Sequence, residues 1–563
     1  MNFGRKLTNC RMCESNDLYE FLDLGFLPPA DGILSKEELE NPEIFFPLKV
    51  AQCQNCNLTQ LIYAVNPNLL YNEKYSYESS ITETGKKHFF DMADSICKKF
   101  NLANENLVVD IGSNVGVLLE GFKRNGLRVL GIDAAPKIVK IAKERGIETW
   151  EGLINKEVAE LIVSRKGKAK IVTATNVFAH IDDKIGLMES LKIMLDERGI
   201  FVIEAPYLVD LIENLEYDTI YLDHLEYLSI KPLVSFFEKY DFEVFDVEKY
   251  DIHGKSIRIF VGKKGIWKIN DNVDKFLKLE EKKGIYDKNK LDEFAENVKQ
   301  HKKEFLELLR GLKKQGNKIV GIGAPAKGNT ILNYCKINTD LIDYMTEKSK
   351  IKPGHYTPGM HIPIIEEEKF LEDSPDYGVI FPWNFAEEII KNPINQEFMR
   401  KGGRFINPIP KPIIMDINNS ERNRIEDSID QANGNLFGVE IKKINPVFMD
   451  ERGIISDLIN EPICHVGLIT TEKDAVRGNH YHNLSKQYSY ILSGKFEVTI
   501  ASSNDSNNIK KVMLNAGELI IIPPKIIHRF KAIERAVMID MISESRDGSN
   551  YEDDVVRVKF GDI

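Results

Sequence analysis

Residues 108–116 read Val-Val-Asp-Ile-Gly-Ser-Asn-Val-Gly, an apolar run that stops in a turn with two glycines. The pattern predicts a buried strand that leads through a tight turn into a helix, with Gly112 and Gly116 letting the backbone approach a ligand closely. Apolar runs and amphipathic runs continue to alternate on both sides, from about residue 80 to residue 262. Such alternation is typical of a parallel sheet with helices on both faces.

A carboxylate stands at the end of the next predicted strand, at Asp133 in Val-Leu-Gly-Ile-Asp. An acid at that position can accept hydrogen bonds from both hydroxyls of an adenosine ribose. The turn lacks the third glycine of a dinucleotide-binding fingerprint, which favours S-adenosylmethionine over NAD as the ligand. We therefore predict a Rossmann-like α/β domain with these cofactor-binding residues: Asp110, Gly112, Asn114, Gly116, Asp133 and Asn176.

Polar side chains also follow the later strands of this predicted sheet. Residues 176–181 follow the fourth strand and residues 204–207 the fifth, and α/β sheets bind ligands at such carboxyl ends. Residues 221–224 then place a tyrosine, an aspartate and a histidine close together. Histidine suits a general base because its unperturbed pKa lies near neutrality. We expect the following residues to handle protons or hold the substrate, although each alone is also compatible with a capped turn or a hydrogen-bonded core: Tyr75, Tyr77, His180, Glu204, Tyr221, Asp223 and His224.

Two Cys-x2-Cys pairs lie within the first 56 residues. Four thiolates in two such pairs can surround a Zn²⁺ ion tetrahedrally, and a shell with no open position indicates a structural metal. The other cysteines are scattered singly, which argues against a disulfide framework. The predicted zinc ligands are Cys10, Cys13, Cys53 and Cys56.

Composition bounds the class of protein. The 563 residues suffice for roughly three to four domains. The formal net charge is −11 with both signs well mixed, which does not favour a nucleic-acid-binding face. We see no signal peptide and no apolar run of 18 residues or more, and so expect a soluble cytoplasmic protein without membrane contact.

The rest of the chain predicts further modules. A Lys/Glu-rich stretch over 270–315 has apolar residues at helical spacing and predicts one long amphipathic helix. A second strand–helix rhythm runs from residue 318 to about 410, and short strands with turns dominate after residue 435. The predicted domains are a zinc module (1–75), the cofactor domain (76–265), a helical bridge with a second α/β domain (266–412), a linker (413–434) and an all-β barrel (435–563).

The barrel carries the two half-motifs of a cupin jelly roll. The first is Arg477-Gly-Asn-His480-Tyr-His482 followed by Gln487, and the second ends at His528. Three histidines can converge on a metal, but Gln487 stands where cupins usually have a glutamate ligand. The sequence therefore leaves a second metal at His480, His482 and His528 open.

Several of these segments together resemble the nucleotide-sugar C-3 methyltransferases, which make branched deoxysugars. The resemblance covers residues 1 to about 410 and rests on the paired cysteines and on Tyr-x-Tyr-x-Ser-Ser, Asp-Ile-Gly-Ser-Asn-x-Gly, Asn-Val-x-Ala-His, Tyr-x-x-His-Leu and Gly-Ala-Pro-Ala-Lys-Gly-Asn-Thr. It implies a 4-keto-deoxyhexose linked to a nucleotide, dTDP above all, as substrate. It also implies that His224 is the base, with Asp223 where the family commonly has a glutamate. The same resemblance implies a sugar-nucleotide side made by Lys327, Asn329, Lys352, His361, Trp383 and Asn384.

The Arg-Gly-Asn-His-Tyr-His segment resembles cupins that act on nucleotide-linked keto-sugars, namely epimerases and 3,4-ketoisomerases. That resemblance implies Arg477 in substrate binding and His480 and His482 in catalysis. We therefore expect a bifunctional enzyme, a C-methyltransferase fused to a sugar epimerase, that forms a homodimer through its cupin. Two alternatives for the cupin are a ketoisomerase and a non-catalytic dimerisation module. An alternative of another class is a zinc-ribbon regulatory protein, which the acidic charge and the histidine cluster disfavour.

Overall fold

A computed structural model describes residues 3–72, 75, 82–250, 255–415, 439–444, 448–450, 453–456, 458–459, 462–503, 505–543 and 554–558. The chain forms two compact units, Met1–Ile417 and Asn418–Ile563. Within the described residues, no helix is both long and apolar enough to cross a bilayer.

The N-terminal module is a small antiparallel sheet whose inner face is apolar. Leu48, Val50 and Cys53 on its central strand are fully buried. Its elements are β1 (Gly4–Lys6), β2 (Leu18–Leu27), β3 (Phe46–Cys53), β4 (Thr59–Leu61), β5 (Tyr63–Val65) and the short helix α1 (Pro67–Leu70).

The first α/β domain is built on a seven-stranded sheet. Its strand β6, Leu-Val-Val-Asp-Ile, is buried throughout, as the apolar run predicts. The elements in chain order are α2 (Glu83–Phe100), β6 (Leu107–Ile111), α3 (Val117–Arg124), β7 (Arg128–Asp133), α4 (Pro136–Glu144), β8 (Thr149–Glu151), α5 (Lys156–Lys166), β9 (Ala169–Thr175), α6 (Lys184–Met194), β10 (Leu195–Pro206), α7 (Leu208–Glu213), β11 (Glu226–Tyr227), α8 (Ile230–Glu238), β12 (Phe242–Tyr250) and β13 (Ser256–Lys263).

The order of that sheet is β12-β13-β10-β9-β6-β7-β8, with β13 antiparallel to both of its neighbours. The chain reverses direction across the sheet between β6 and β9, because β7 follows on one side and β9 is added on the other. A crevice at the carboxyl ends of the strands opens at such a reversal and is where open α/β sheets bind ligands.

The strand β11 does not belong to the seven-stranded sheet. It pairs antiparallel with β4 of the N-terminal module, with Glu226 opposite Gln60 and Tyr227 opposite Thr59. The sheet of that module therefore has the order β11-β4-β3-β2. This pairing, which the sequence did not predict, ties the segment after His224 to the module that carries the cysteine pairs.

The predicted single helix over 270–315 is wrong, because the structure has two helices. They are α9 (Asp271–Lys283) and α10 (Lys288–Lys314). Gly284 ends α9 in the left-handed conformation with φ +64°, and Asp287 caps the start of α10 with its side chain. The apolar positions that suggested one helix all lie on α10.

The second α/β domain has a six-stranded sheet in the order β16-β15-β14-β17-β18-β19, parallel except for β19. The predicted linker start at residue 413 is too early, because Ile413–Met415 form β19 against β18. The elements are β14 (Ile319–Ile322), α11 (Ala326–Cys335), β15 (Met345–Glu347), β16 (Ile364–Glu366), α12 (Phe370–Asp373), β17 (Tyr377–Ile380), α13 (Ala386–Lys391), α14 (Pro393–Arg400), β18 (Arg404–Asn407) and β19 (Ile413–Met415). Short 3₁₀ helices lie at Glu37–Glu40, Phe178–His180, Tyr217–Thr219, Glu367–Lys369 and Trp383–Phe385.

The second unit is all-β, and its two main sheets confirm the predicted cupin-type fold. Their orders are β20-β28-β25-β30-β23 and β27-β26-β29-β24-β31, around a core that includes Phe496, Ile520 and Phe530. The strands are β20 (Glu440–Lys443), β21 (Phe448–Asp450), β22 (Gly453–Ile455), β23 (His465–Thr471), β24 (Val476–His482), β25 (Gln487–Ser493), β26 (Lys495–Ser502), β27 (Asp505–Asn515), β28 (Glu518–Ile522), β29 (Ile526–Ala532), β30 (Ala536–Ile542) and β31 (Val555–Arg557).

Candidate functional site

A cleft of about 1500 Å³ lies at the carboxyl ends of β6, β7 and β9 in the first unit. The two α/β domains and the N-terminal module all contribute to its walls. The cleft coincides with the reversal of strand order, as expected for a ligand site of this fold. Of the residues predicted from the sequence, these line it: Tyr75, Asp110, Gly112, Asn114, Asp133, Asn176, His180, Tyr221, Asp223, His224, Lys327, Lys352, Trp383 and Asn384.

One end of the cleft has the features of an adenosyl site. The Asp133 carboxylate accepts backbone hydrogen bonds from Asn114 (2.9 Å) and Ala135 (3.0 Å), which hold it at the cleft wall. Gly112 has φ +69°, and a Cβ there would lie 2.5 Å from the Val177 side chain, so that only glycine fits. This turn therefore brings the backbone next to the carboxylate that was predicted to hold a ribose.

Unpartnered polar atoms fit a ligand at this end. Among the described residues, Thr175 Oγ1 and Asn176 Oδ1 are buried and have no hydrogen-bond partner, and both residues line the cleft. Such orphaned groups are costly unless a ligand or water satisfies them. Together with Asp133, they fit the hydroxyl and amino groups of an adenosyl moiety, so S-adenosylmethionine would be held here.

Asp110 is a buried residue of β6 at the cleft, two residues before Gly112. It accepts a hydrogen bond of 2.5 Å from the Thr173 hydroxyl. Burial raises the pKa of its carboxyl to about 7, and the nearby charge of Asp133 acts in the same direction.

The hydrogen bonding of His224 selects one of its ring nitrogens for proton transfer. Its Nδ1 lies 2.7 Å from the Thr219 carbonyl oxygen, which can only accept, so Nδ1 carries the proton. The neutral ring then has its lone pair on Nε2, as a general base requires. The Tyr221 ring packs on the imidazole with a centroid distance of 4.0 Å and limits its rotation.

His180 lies beside His224, with their ring centroids 5.0 Å apart. Burial lowers the pKa of His180 well below its usual value, and the neighbouring His224 and Lys184 lower it further. A neutral imidazole at this place can donate or accept a hydrogen bond without adding a charge. Its Nδ1 lies 3.0 Å from the Tyr71 hydroxyl.

Tyr71 lines the cleft and was missed by the sequence analysis, which singled out Tyr75 and Tyr77 four and six residues later. Its ring lies 5.4 Å from that of Tyr75, and burial raises the pKa of both phenols well above their usual value. Both hydroxyls therefore stay protonated and can donate to an oxygen in the cleft. Tyr77 lies outside the described residues.

The buried carboxyl group of Asp223 and the partly buried one of Asp31 also line this part of the cleft. Burial and the charge of Asp31 raise the pKa of Asp223 to about 7. Asp31 comes from the loop after β2 in the N-terminal module and was not predicted from the sequence.

The second α/β domain contributes a lysine on the β14–α11 turn. Lys327 donates to the Asn384 side-chain oxygen, and its ammonium lies 4.3 Å from the Trp383 ring centroid. Trp383 Nε1 donates to Asp218 at 2.6 Å. Burial lowers the pKa of Lys327, and the carboxylates of Asp218 and Glu216 oppose this.

Lys352 reaches the cleft from the loop after β15. It donates to the Ala324 carbonyl oxygen at 2.8 Å and lies 3.9 Å from an Asp31 oxygen.

In the part of the chain that the structure describes, four of the predicted residues do not line the cleft. Gly116 caps the start of α3. Glu204 is fully buried and forms an ion pair with Arg258 at 2.7 Å. Asn329 donates to the Ala30 carbonyl oxygen at 2.6 Å, and His361 bonds to Glu43. These last three contacts join elements of the first unit to each other.

The two cysteine pairs meet at one end of the N-terminal sheet. Cys10 Sγ lies 3.5 Å from Cys56 Sγ, Cys13 Sγ lies 3.4 Å from Cys53 Sγ, and all four sulfur atoms fall within 4.8 Å of one another. Zn–S bonds of about 2.3 Å at tetrahedral angles place sulfur atoms about 3.8 Å apart. The cluster therefore fits a structural zinc ion with four thiolate ligands.

The three predicted histidines of the cupin also meet, with ligand atoms of His480, His482 and His528 within 4.8 Å of one another. His482 Nδ1 lies 3.1 Å from an Asp554 oxygen, and its Nε2 lies 3.1 Å from Gln487 Oε1. Gln487 is fixed in that orientation because its Nε2 donates to Asp540 at 2.9 Å.

Both nitrogens of His482 therefore face hydrogen-bond acceptors. A metal could bind the three histidines only if His482 gave up its bond to Gln487. Asp540 and Asp554 were not predicted, because they lie 53 and 72 residues away from their partners along the chain. Arg477 is bonded to the edge strand β23, with its Nη2 donating to the Thr470 carbonyl oxygen at 2.9 Å.

Comparison with known families now assigns the class of protein. Four family models match: a zinc binding domain over residues 10–71, a methyltransferase domain over 89–247, a C-methyltransferase C-terminal domain over 251–410 and a cupin over 464–556. The fold and these matches define a methyltransferase, whose methyl donor is S-adenosylmethionine, with a four-cysteine zinc-binding domain and an added cupin.

The C-methyltransferase NovU of Streptomyces niveus is 34% identical over 412 residues, which cover 73% of this chain and 97% of NovU. The chain therefore belongs to the C-methyltransferase family, and the resemblance noted in the sequence is confirmed. A ubiquinone biosynthesis O-methyltransferase of Xanthomonas oryzae is 28% identical over 108 residues, 19% of this chain and 45% of that enzyme.

Solved structures similar to the cupin include the QdtA 3,4-ketoisomerase of Thermoanaerobacterium thermosaccharolyticum, at 26% identity over 22% of this chain and 90% of that chain. A second is the dTDP-4-dehydrorhamnose 3,5-epimerase of Sulfolobus tokodaii, at 19% identity over 23% and 81%. Their TM-scores are 0.19 and 0.20, and at these values neither neighbour supports an inference on function.

Proposed function

We propose that this chain is a bifunctional enzyme that methylates C-3 of a nucleotide-linked 4-keto-deoxyhexose and epimerises a keto sugar in its cupin. The observation that carries the first activity is the placement of His224. Its Nε2 lone pair, fixed by the Nδ1–Thr219 bond, lies in the same cleft as the adenosyl-type end. A positioned base and a methyl donor are the two requirements of C-methylation next to a ketone.

In the proposed reaction a proton leaves C-3, which is acidic because the C-4 ketone is its neighbour. His224 Nε2 takes that proton. S-adenosylmethionine, when bound, would supply the electrophilic methyl group, whose bond to sulfur breaks as the bond to C-3 forms, and S-adenosylhomocysteine would leave. The base returns its proton to solvent after transfer. The Tyr75 hydroxyl is suited to donate a hydrogen bond to the enolate oxygen, and the bonded pair of Tyr71 and His180 can donate one more through either member; such donors stabilise charge that develops on that oxygen.

The nucleotide end of the substrate would lie against the second α/β domain. Lys327 and the amides of the β14–α11 turn can meet a diphosphate, and the Trp383 ring offers an apolar surface beside it.

For the cupin, the proposal rests on the cluster of His480 and His482, whose ring centroids lie 5.1 Å apart. Asp554 and Gln487 hold both nitrogens of His482, so the neighbouring His480 is the histidine suited to move a proton next to a ketone. An epimerase returns the proton to the same carbon and a 3,4-ketoisomerase to another, so the ketoisomerase is the second candidate. A dimerisation module without catalysis is the third.

The test is to incubate the full-length protein with S-adenosylmethionine and dTDP-, GDP- and UDP-linked 4-keto-6-deoxysugars. We expect one panel member to gain 14 mass units, with the new methyl assigned to C-3 by NMR. Methylation at oxygen, or of no keto sugar in the panel, would contradict the proposal.

A further inference from the structure

We infer that Arg11, in the turn between Cys10 and Cys13, is a positioning residue for the proposed methylation site. It fixes the loop that carries His180 and the loop that carries His224, which are called the two histidine loops below. The inference rests on the proposed role of His224. None of the sequence patterns drew attention to this arginine, whose side chain is only 1% exposed.

Arg11 makes contacts to three separate segments. Its Nη1 donates to the Leu61 carbonyl oxygen at 2.6 Å and to the Leu225 carbonyl oxygen at 3.2 Å. Its Nε donates to Asp182 at 3.1 Å. Leu225 directly follows His224, and Asp182 lies two residues after His180. The planar fork of one guanidinium therefore joins the cysteine turn to both histidine loops.

The two histidine loops are also bonded to each other at this point. The Leu225 amide donates to the Ala179 carbonyl oxygen at 2.9 Å, and the Leu225 carbonyl also accepts from the Leu61 amide at 2.9 Å. Lys184 and Glu226 form an ion pair of 3.0 Å with both side chains buried. Lys184 further donates to the carbonyl oxygens of Phe178 and Ile181, which flank the His180 segment.

Loss of the guanidinium would remove the three bonds that join the cysteine turn to Leu61, Leu225 and Asp182. Among the described residues, the Leu225 carbonyl would keep only the Leu61 amide and the Asp182 carboxylate only the exposed Arg5, so the two loops would be held less firmly and could shift. A displacement of about 1 Å at a reacting group costs roughly 10²-fold in rate. The adenosyl end lies on β6, β7 and β9, which Arg11 does not touch, so binding of the methyl donor should be kept.

The chain offers a matched control in Arg5. Arg5 pairs with the same Asp182 at 2.7 Å, but its side chain is 59% exposed. Within the described residues it makes no hydrogen bond to Leu225. Arg5→Met removes one charge partner of Asp182 and leaves the buried fork intact. Arg11→Lys keeps the charge but cannot make the three contacts together.

The experiment compares full-length wild type, Arg11→Met, Arg11→Lys and Arg5→Met. For Arg11→Met we expect unchanged zinc content, binding of S-adenosylmethionine within about twofold of wild type, and kcat for methyl transfer reduced by roughly 10²-fold. KM for the sugar should change much less than kcat, and kcat is calculated per S-adenosylmethionine-binding site so that a smaller folded fraction does not count as a lower kcat. Arg11→Lys should recover part of kcat, and Arg5→Met should stay within about twofold of wild type.

Hydrogen–deuterium exchange of the same proteins keeps the test independent of the substrate. In Arg11→Met, peptides that cover 177–184 and 219–227 should exchange faster, while those that cover 107–133 should not. Equal kcat and equal exchange in Arg11→Met and wild type would overturn the inference. A wild type that methylates no keto sugar would refute the proposed function, and the exchange pattern would still decide the role of Arg11. If Arg11→Met does not fold, Arg11→Lys carries the same two measurements, because it keeps the charge and loses the fork.

Discussion

At His224 a backbone carbonyl decides which nitrogen can take a proton. The Thr219 oxygen lies 2.7 Å from Nδ1 and accepts its hydrogen, so the lone pair is on Nε2. Because the partner is main chain, the selection depends on the loop conformation and not on a second side chain. This is why the segments that hold residues 219–227 matter as much as the histidine.

His224→Gln is predicted to lower methyl transfer by roughly 10²–10⁴-fold, the usual contribution of a positioned general base. Glutamine keeps a polar group of similar size but cannot take the proton. Binding of S-adenosylmethionine, measured by calorimetry, should not change. Turnover at the wild-type rate would exclude His224 as the base.

Asp133→Ala is predicted to weaken the binding of S-adenosylmethionine, because the ribose loses its carboxylate acceptor. Calorimetry on wild type, Asp133→Ala and Asp133→Glu gives the comparison. Equal dissociation constants for the alanine variant and wild type would show that the ribose lies elsewhere in the cleft.

Asp110 predicts a pH dependence of stability in the ligand-free protein. Burial raises its pKa from the ordinary 3.8 to about 7, so its contribution to folding is full below about pH 4 and is lost as the pH rises through 7. Asp110→Asn stays neutral, and its Tm relative to wild type should rise between pH 5 and pH 8. A difference in Tm that is the same at both values would contradict the raised pKa.

At the scale of elements, the pairing of β11 with β4 connects the four-cysteine module to the proposed methylation site. The strand β11 begins two residues after His224, and β4 begins three residues after Cys56. The hydrogen bonds between these strands connect the four-cysteine cluster to the segment that holds His224, the proposed base. A two-residue strand has little stability alone, so it depends on the sheet that it joins.

The double variant Cys10→Ser/Cys56→Ser is predicted to lose about one zinc ion per chain, because it removes two of four thiolate ligands. Elemental analysis of purified protein measures this, with Cys97→Ser as the control that should keep its zinc. Soluble yield should fall in the double variant and not in the control. An unchanged zinc content would refute the metal site.

At the scale of the molecule, the two compact units divide at residues 417 and 418. Each has its own buried core, so each meets the usual criterion for independent folding. Fusion of two enzymes that act on related keto sugars would raise the effective concentration of one site near the other.

Separate expression is predicted to separate the activities. A 1–417 fragment should methylate a 4-keto sugar, and a 418–563 fragment should exchange a ring proton of that sugar with deuterated solvent in the absence of S-adenosylmethionine.

His480→Asn should lower this exchange sharply, whereas treatment with a chelator should have little effect because His482 is engaged by Gln487 and Asp554. A folded barrel that exchanges no proton on any 4-keto sugar would indicate a dimerisation module, and loss of exchange on chelation would indicate a metal site.

The sequence by itself determined the classes of the domains and the chemistry of their short motifs. The run at 108–116, the cysteine pairs and the His-x-His segment each lie within a few residues, so local spacing is enough to predict a strand–turn–helix, a thiolate site and a cupin half-motif. The break at Gly284 shows the limit of such patterns, since the apolar positions behind the single-helix prediction all lie on α10 and do not test the residues before it.

Only the tertiary structure decided which polar residues meet. Arg11 lies 171 and 214 residues from Asp182 and Leu225, and Asp554 lies 72 residues from His482. Tyr71 lies four residues before Tyr75 in the chain, and its bond to His180 is a tertiary contact that no local pattern shows. Glu204 and His361 matched the expected pattern, yet their partners outside the cleft hold them elsewhere. Hydrogen bonds between distant segments depend on how sheets and loops pack, and no local periodicity carries that information.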